Sequence, residues 1–429
     1  MVDSTPAEPA AVPAVAAARG LAITVRPFAA LRPDPKLAGN ICEPPYDVLS
    51  SDEARKLAAG NPLSFLRVSK PEIDLPAGTD PGAPEVYARG RDNFRKLIRD
   101  GALKQDEQPC FYLYRQVLGR HAQTGLVATA SCEEYLAGAI KKHELTRPDK
   151  EDDRVRHIEA LNAQTGPVFL TYRAEAEFDR FVAEQTAQEP AVDFVSKDGV
   201  RHTSWVVGGQ GDIDFICAQF AKIPALYIAD GHHRCAAAAR VFQTRRGAGH
   251  SGRFLAVIFP HHQMQILPYN RVLKDLNGWP PEQLWELLGT AFAIDHQGTA
   301  MPARREELGF YFQGQWRTLA FRKKLVERIA KTGKPADLLD VSLLQTWVLA
   351  PVFGVHDPRT SERIGFVGGI RGPAELERLV NSGACVCAFS MYPTDIGDLM
   401  AIADAGGIMP PKSTWFEPKL RDAMFCHLI

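Results

Sequence analysis

One segment constrains this chain more than any other. The apolar run Ala225-Leu226-Tyr227-Ile228-Ala229 passes directly into Asp230-Gly231-His232-His233-Arg234 and then into Cys235-Ala236-Ala237-Ala238. Its apolar part is a buried strand and its alanine-rich part a helix. Gly231 takes the turn between them without a Cβ clash. The helix then begins with free N–H groups and its positive dipole end beside two imidazoles and a guanidinium, which makes an anion site suited to phosphate. The alanines let the helix lie close on a sheet, which fixes the loop. The competing reading is a turn of solvated polar residues. Charge concentrated between two buried elements argues against it.

Similar alternation runs through the rest of the chain. Residues 23–28 read as a short strand. Ser50 and Glu53 form a capping box for a helix through Leu57. A longer helix is expected over 86–100, with Tyr87, Phe94, Leu97 and Ile98 near one face and Gly101 as its stop. Strands are predicted at 111–118, 125–130, 167–172, 225–229 and 254–259, and helices at 177–185 and 234–242. A boundary is expected between about 270 and 300. Beyond it come helices near 281–288 and 341–349 and a glycine-rich strand turn at 366–369. The expected organisation is an Ala/Pro-rich disordered tail over 1–20, a phosphate-binding core over 21–270, and an α/β region over 271–429 that closes the pocket. Asp3, Glu8, Pro6, Pro9 and Pro13 argue against reading the tail as a signal peptide.

Fifty basic side chains balance fifty-one acidic ones, for a net charge of −1. That argues against a whole-chain basic surface for duplex DNA, and nucleic acid is not an expected partner. No apolar run approaches the roughly 18 residues of a membrane span. The eight cysteines are scattered without a CxxC pair, which points to a reducing cytoplasm and small buried thiols.

Three further clusters could carry chemistry. The first is His143-Glu144-Leu145-Thr146-Arg147, followed by Lys150, Glu151, Asp153, Arg154 and His157. A helix over 150–163 would place Glu151 with Arg154, and Asp153 with His157. These residues could form a second wall of a polar pocket, with Arg147 or Arg154 on an anionic substrate and Glu144 or Glu151 as base or magnesium ligand. Read alone, they favour a solvated helix laced with ion pairs. The second cluster is Glu43-Pro44-Pro45-Tyr46-Asp47, where two prolines stiffen a turn carrying two acids. Such a loop suits metal or hydroxyl activation, and equally a capped connector. The third is Pro410-Pro411-Lys412-Ser413-Thr414 with Lys419. It lacks the glycine cradle of a P-loop, so it reads as a structural or lid segment. Arg371 is a weaker phosphate candidate. No GxGxxG, GxSxG or Walker A pattern occurs.

Taken together, these stretches resemble the bacterial domain of unknown function family 1015, often labelled ParB-like. The resemblance spans about residues 23–429 and rests on Arg26-Pro27-Phe28, Pro44-Pro45-Tyr46-Asp47-Val48, Gly60-Asn61-Pro62, His143-Glu144-Leu145-Thr146, Lys150-Glu151, Asp153-Arg154, Ala229 to Arg234, Pro268-Tyr269-Asn270-Arg271 and Met409 to Thr414. It implies a mixed α/β (α+β) fold, with a ParB/sulfiredoxin-like core and an additional C-terminal α/β region. Asp230 to Arg234 also resembles the phosphate signature of the wider ParB/sulfiredoxin-like superfamily, which includes the free-serine kinases called SerK. That likeness implies a nucleotide-phosphate loop at Gly231, His232, His233 and Arg234, with Asp230 among the catalytic acids. It implies a catalytic acid upstream, for which Glu43, Asp47 and Glu144 all qualify. His143, Thr146, Arg147, Arg154, Asn270 and Arg271 would then face the substrate. The implied activity is phosphoryl transfer from ATP or ADP, with Mg2+, to a small hydroxyl metabolite, L-serine being the best single guess. Two alternatives use the same pocket: a nucleotide-dependent switch without turnover, and a phosphohydrolase with water as acceptor.

Overall fold

The computed structural model describes residues 22–429; the expected tail over 1–20 lies outside them. Two sheets carry a mixed α/β architecture. The first has eight strands: β1 (Phe111–Leu118), β2 (His121–Ser131), β3 (Ile140–Lys141), β4 (Val168–Tyr172), β5 (Val192–Val195), β6 (Arg201–Val207), β7 (Leu226–Asp230) and β8 (Arg253–Pro260). Their spatial order is β3-β7-β4-β8-β2-β1-β6-β5. Most pairs are antiparallel, while β3 with β7 and β4 with β8 run parallel. The second sheet has six strands: β9 (Tyr269–Leu273), β10 (Phe292–Asp295), β11 (Glu307–Phe312), β12 (Gln315–Phe321), β13 (Ile364–Gly368) and β14 (Cys387–Ser390), in the order β10-β12-β11-β14-β9-β13.

The period-two rule explains the core. On β1, Phe111 and Leu113 point to one face and join Leu126, Leu170, Phe220 and Ile228. Tyr112 and Tyr114 point to the other and join Phe169, Phe259, Phe416 and Phe425. With both faces covered, the central strands read as continuous apolar runs rather than alternating ones. The covering of the second face comes partly from the far end of the chain. His427–Leu428 pairs with Ala163–Gln164, and the Cys426 amide donates to the Leu31 carbonyl at 2.9 Å. The last ten or so residues therefore pack into the first sheet's unit, across the expected 270 boundary.

Four helices position the polar cavity: α1 (Ser51–Leu57), α2 (Pro84–Arg99), α3 (Pro148–Leu161) and α4 (His232–Arg245). The capping box of α1 is present in both directions, Ser50 with Glu53. On α2, Val86, Tyr87, Phe94 and Leu97 are buried, but Ile98 is exposed because it falls on the far side of that stripe. Residues 23–28 do not form the expected strand. Only isolated bridges occur, at Arg26 and Phe28. Pro27 between them has no N–H to extend a ladder.

The alanines of α4 serve two contacts. Cys235 and Ala238 face the sheet beside Ile228, while Ala237 and Val241 meet Ile158 of α3 and the C-terminal Ile429. All eight cysteines are free. Among the described residues, no helix is long and apolar enough to cross a membrane. Because Ala237 has no exposed surface, Ala237→Leu should lower unfolding free energy by about 1–3 kcal/mol, read as a fall in the urea midpoint. An unchanged midpoint would contradict the close approach of α3 and α4.

Candidate active site

The strand β7 delivers Asp230 to the turn. Gly231 follows at φ +96°, and α4 starts at His232 with no side-chain cap. A Cβ at Gly231 would lie 3.1 Å from Arg234 Nε and 3.2 Å from its Cζ, so the turn needs glycine both for its dihedral and for the guanidinium packed on it. Lys419 Nζ donates to Asp230 Oδ2 at 2.7 Å. Arg234 Nη2 stands 3.8 Å from Asp230 Oδ1 and 3.8 Å from Asp47 Oδ2. Burial alone would push the Asp230 carboxyl up, but Lys419 and Arg234 outweigh it and hold the group well below the ordinary aspartate value. Burial likewise opposes the charge on Arg234, and Asp47 and Asp230 overcome it. Arg234 also donates to the Pro167 carbonyl, while its Nε has no partner.

A cavity of about 850 Å³ opens beside this turn. Its wall includes Tyr46, Asp47, Glu144, Arg147, Arg154, His233 and Lys412. Four stretches far apart in sequence thus meet at one place. The residues around the Pro44-Pro45 turn supply Tyr46 and Asp47. Arg154 on α3 is buried, donates to Asp153 at 2.7 Å and stacks its guanidinium 3.7 Å above the Tyr46 ring. The helix is therefore a cavity wall and not only a solvated face. His233 Nε2 accepts from the Arg147 amide at 3.1 Å, and burial lowers the imidazole's pKa. Lys412, at φ +58°, reaches in from the C-terminal segment. Burial would lower its pKa, but Tyr269, Glu144 and Asp47 raise it. Glu144 is pushed up by burial, against the pull of Lys412.

Other residues singled out from the sequence sit elsewhere. Glu43 is buried off the cavity, where it accepts from Ser64 Oγ at 2.5 Å. His232 turns inward against His143, edge to face with centroids 4.5 Å apart. Thr146 donates to Glu151, whereas Arg147 stays on the cavity wall with its exposed side chain paired to Asp149 at 2.9 Å. Asn270 and Arg271 do not line the cavity. Asn270 Oδ1 accepts from the Met391 amide at 3.0 Å, and Arg271 donates to the Tyr269 carbonyl and, at 3.1 Å, to that of Lys412. Arg271 therefore holds the Lys412 turn from behind. Arg371 pairs with Glu53 on the surface at 3.3 Å. A second cavity of about 830 Å³, lined by Arg26, Arg246, Arg253 and His427, contains none of these residues.

The sequence offers Lys419 only beside a segment that reads as structural or a lid, and Asp422 is not among the candidates. Asp422 lines a small void of about 40 Å³ behind the main cavity, with Arg234, Arg154 and Tyr46. Its only local signal is a charged pair, Arg421-Asp422, inside an otherwise apolar end. Burial pushes its carboxyl up to about 7 despite Arg234, and Asp47 adds to the rise. An unfolded aspartate ionises near about 3.9. Stability contributed by the neutral form is therefore full below that value and is lost as pH rises toward about 7. Asp422→Asn keeps the neutral shape and cannot ionise. It should gain stability relative to the unaltered protein between about pH 4 and pH 7 in urea titrations. A constant difference across that range would contradict the shift.

A comparison with curated proteins found no match. Among solved structures, SbnI with a C-terminal truncation, from Staphylococcus aureus, is 12% identical, covering 69% of this chain and 85% of that one at a TM-score of 0.37. A free serine kinase in complex with AMP is 11% identical, covering 68% and 86% at 0.33. A conserved hypothetical protein from Pyrococcus furiosus is 12% identical, covering 70% and 93% at 0.33. The family described as protein of unknown function (DUF1015) matches residues 25–342, well over half of the sequence, and the chain belongs to that family.

Proposed function

We propose that this protein is a small-molecule kinase that transfers a phosphoryl group from ATP or ADP to the hydroxyl of a metabolite, with free L-serine the leading acceptor. The observation that carries the reading is the uncapped start of α4 at a glycine turn, backed by the buried Arg234 and adjoining a polar cavity of nucleotide-compatible size. Free helix amides and a guanidinium recognise phosphate oxygens, and a cavity of several hundred cubic ångströms accommodates a nucleotide. His233 and Lys412 stand on the cavity wall, where each can donate to a phosphate oxygen.

Asp47 is the acid we assign to the acceptor hydroxyl. It lines the cavity, its side chain is 38% exposed, and it stands beside the guanidinium that would hold the donor's phosphates. Glu43 is sealed against Ser64 and has no such access. Asp47 would take the hydroxyl proton as the acceptor oxygen attacks the terminal phosphorus, while Arg234, His233 and Lys412 stabilise the charge on the transferred group. Mg2+ belongs to this reading as the ion that arrives with the nucleotide phosphates, and Asp47 on the cavity wall is a carboxylate that could meet it. The resemblance of Asp230 to Arg234 to the SerK loop supports serine in particular.

Purified protein with ATP or ADP, Mg2+ and L-serine should yield phosphoserine, detected by mass spectrometry. Asp47→Asn should lower kcat by roughly 10²–10⁴-fold with little change in nucleotide affinity. Lys412→Met should mainly raise the nucleotide KM. Phosphate release that is independent of serine would favour hydrolysis instead. Absence of any phosphorylated product from either nucleotide across a panel of hydroxyl metabolites would refute the kinase.

A further inference from the structure

Behind the phosphate turn lies a cluster that phosphoryl transfer leaves unused. We infer that His143, Glu144 and His232 form a binding site for a divalent transition-metal ion of the zinc type, not for magnesium. One donor atom from each residue lies within 4.8 Å of both others. Ions of this class hold nitrogen and oxygen at about 2.0–2.2 Å, so two donors on one ion stand roughly 3–4 Å apart. A small side-chain adjustment closes the set.

Both rings are in the state that coordination requires. His143 is 2% exposed and His232 6%. Both are shielded from water, so solvent does not compete for their ring nitrogens. The Ile228 backbone lies against the His143 ring, and the ring's Nδ1 has no partner. A buried ring nitrogen without a partner is a costly arrangement. On His232, Nε2 accepts from the His143 amide at a long 3.4 Å, which identifies it as a lone-pair atom with a weak competitor. Glu144 supplies negative charge at the cavity edge, where burial keeps its pKa raised. Two imidazole donors with one carboxylate suit zinc, iron or cobalt, whereas magnesium takes oxygen ligands.

The site adjoins the proposed kinase centre: its side chains are separate from those assigned to phosphoryl transfer, Asp47, His233, Arg234 and Lys412, while the His232 backbone opens the helix that would hold the phosphates. The test uses full-length protein stripped with EDTA and titrated, without nucleotide, with Co2+ by visible d–d absorption. Zn2+ follows as competitor, and Mg2+ serves as control. The expected result is a single saturable Co2+ site that Zn2+ displaces and excess Mg2+ does not. Glu144→Gln and His143→Asn should each weaken Co2+ binding by roughly ten-fold or more. Glu144 is only partly buried, so its variant reports even where the histidine variant misfolds, and circular dichroism separates the two cases. No Co2+ spectrum, or affinity unchanged in Glu144→Gln, overturns the metal site. Serine phosphorylation with Mg2+ is assayed separately, so loss of either result leaves the other standing.

Discussion

The Arg234 guanidinium is the point on which the rest of the structure converges. It is buried, and a buried cation is tolerated only when carboxylates and carbonyls surround it. Asp230 reaches it from β7, Asp47 from the Pro44-Pro45 loop, and the Pro167 carbonyl from the strand beside β7. Asp422, from the far end of the chain, closes the void behind it. The acids stand 3.8 Å away rather than in tight bidentate contact. One charge thereby ties together four segments that no local propensity would bring to the same place.

The second consequence concerns the C-terminal segment. It covers the first sheet with Phe416 and Phe425, pairs Lys419 with Asp230 and sends Lys412 into the cavity. Arg271, lacking a carboxylate partner, donates to the Lys412 carbonyl and fixes that turn. Covering the core and equipping the site are therefore the same structural event. Loss of this segment would expose an apolar face and leave Asp230 without its lysine.

Much of this was legible in the residues, and the reasons for the remainder are physical. Strands such as β1 and β8 and helices such as α2 and α4 announce themselves by periodicity, glycine stops and caps. The Asp230-Gly231-His232-His233-Arg234 turn was legible because its charge sits between two buried elements. Residues 23–28 have the apolar, β-branched composition of a strand, but Pro27 breaks the ladder and leaves only isolated bridges. Glu43 and Asp47 could not be separated by sequence, since both flank the same proline turn. Only the packing of Ser64 against Glu43 distinguishes the sealed acid from the accessible one. The resemblance implied substrate contacts at Asn270 and Arg271; here backbone groups of Met391 and Lys412 use them. The pairing of Lys419 with Asp230 and the place of Asp422 beside Arg234 were not legible, because these partners lie about two hundred residues away and no single-chain pattern encodes such a contact.

The central claim is that the start of α4 grips the phosphates of a nucleotide. A crystal structure of the protein soaked with ADP and Mg2+ tests it most directly. The account requires phosphate oxygens within hydrogen-bonding reach of the first amides of α4 and of Arg234 or His233, with the base in the cavity beside Asp47. Density in the Arg26-lined cavity instead, or an empty turn at saturating nucleotide, would contradict it.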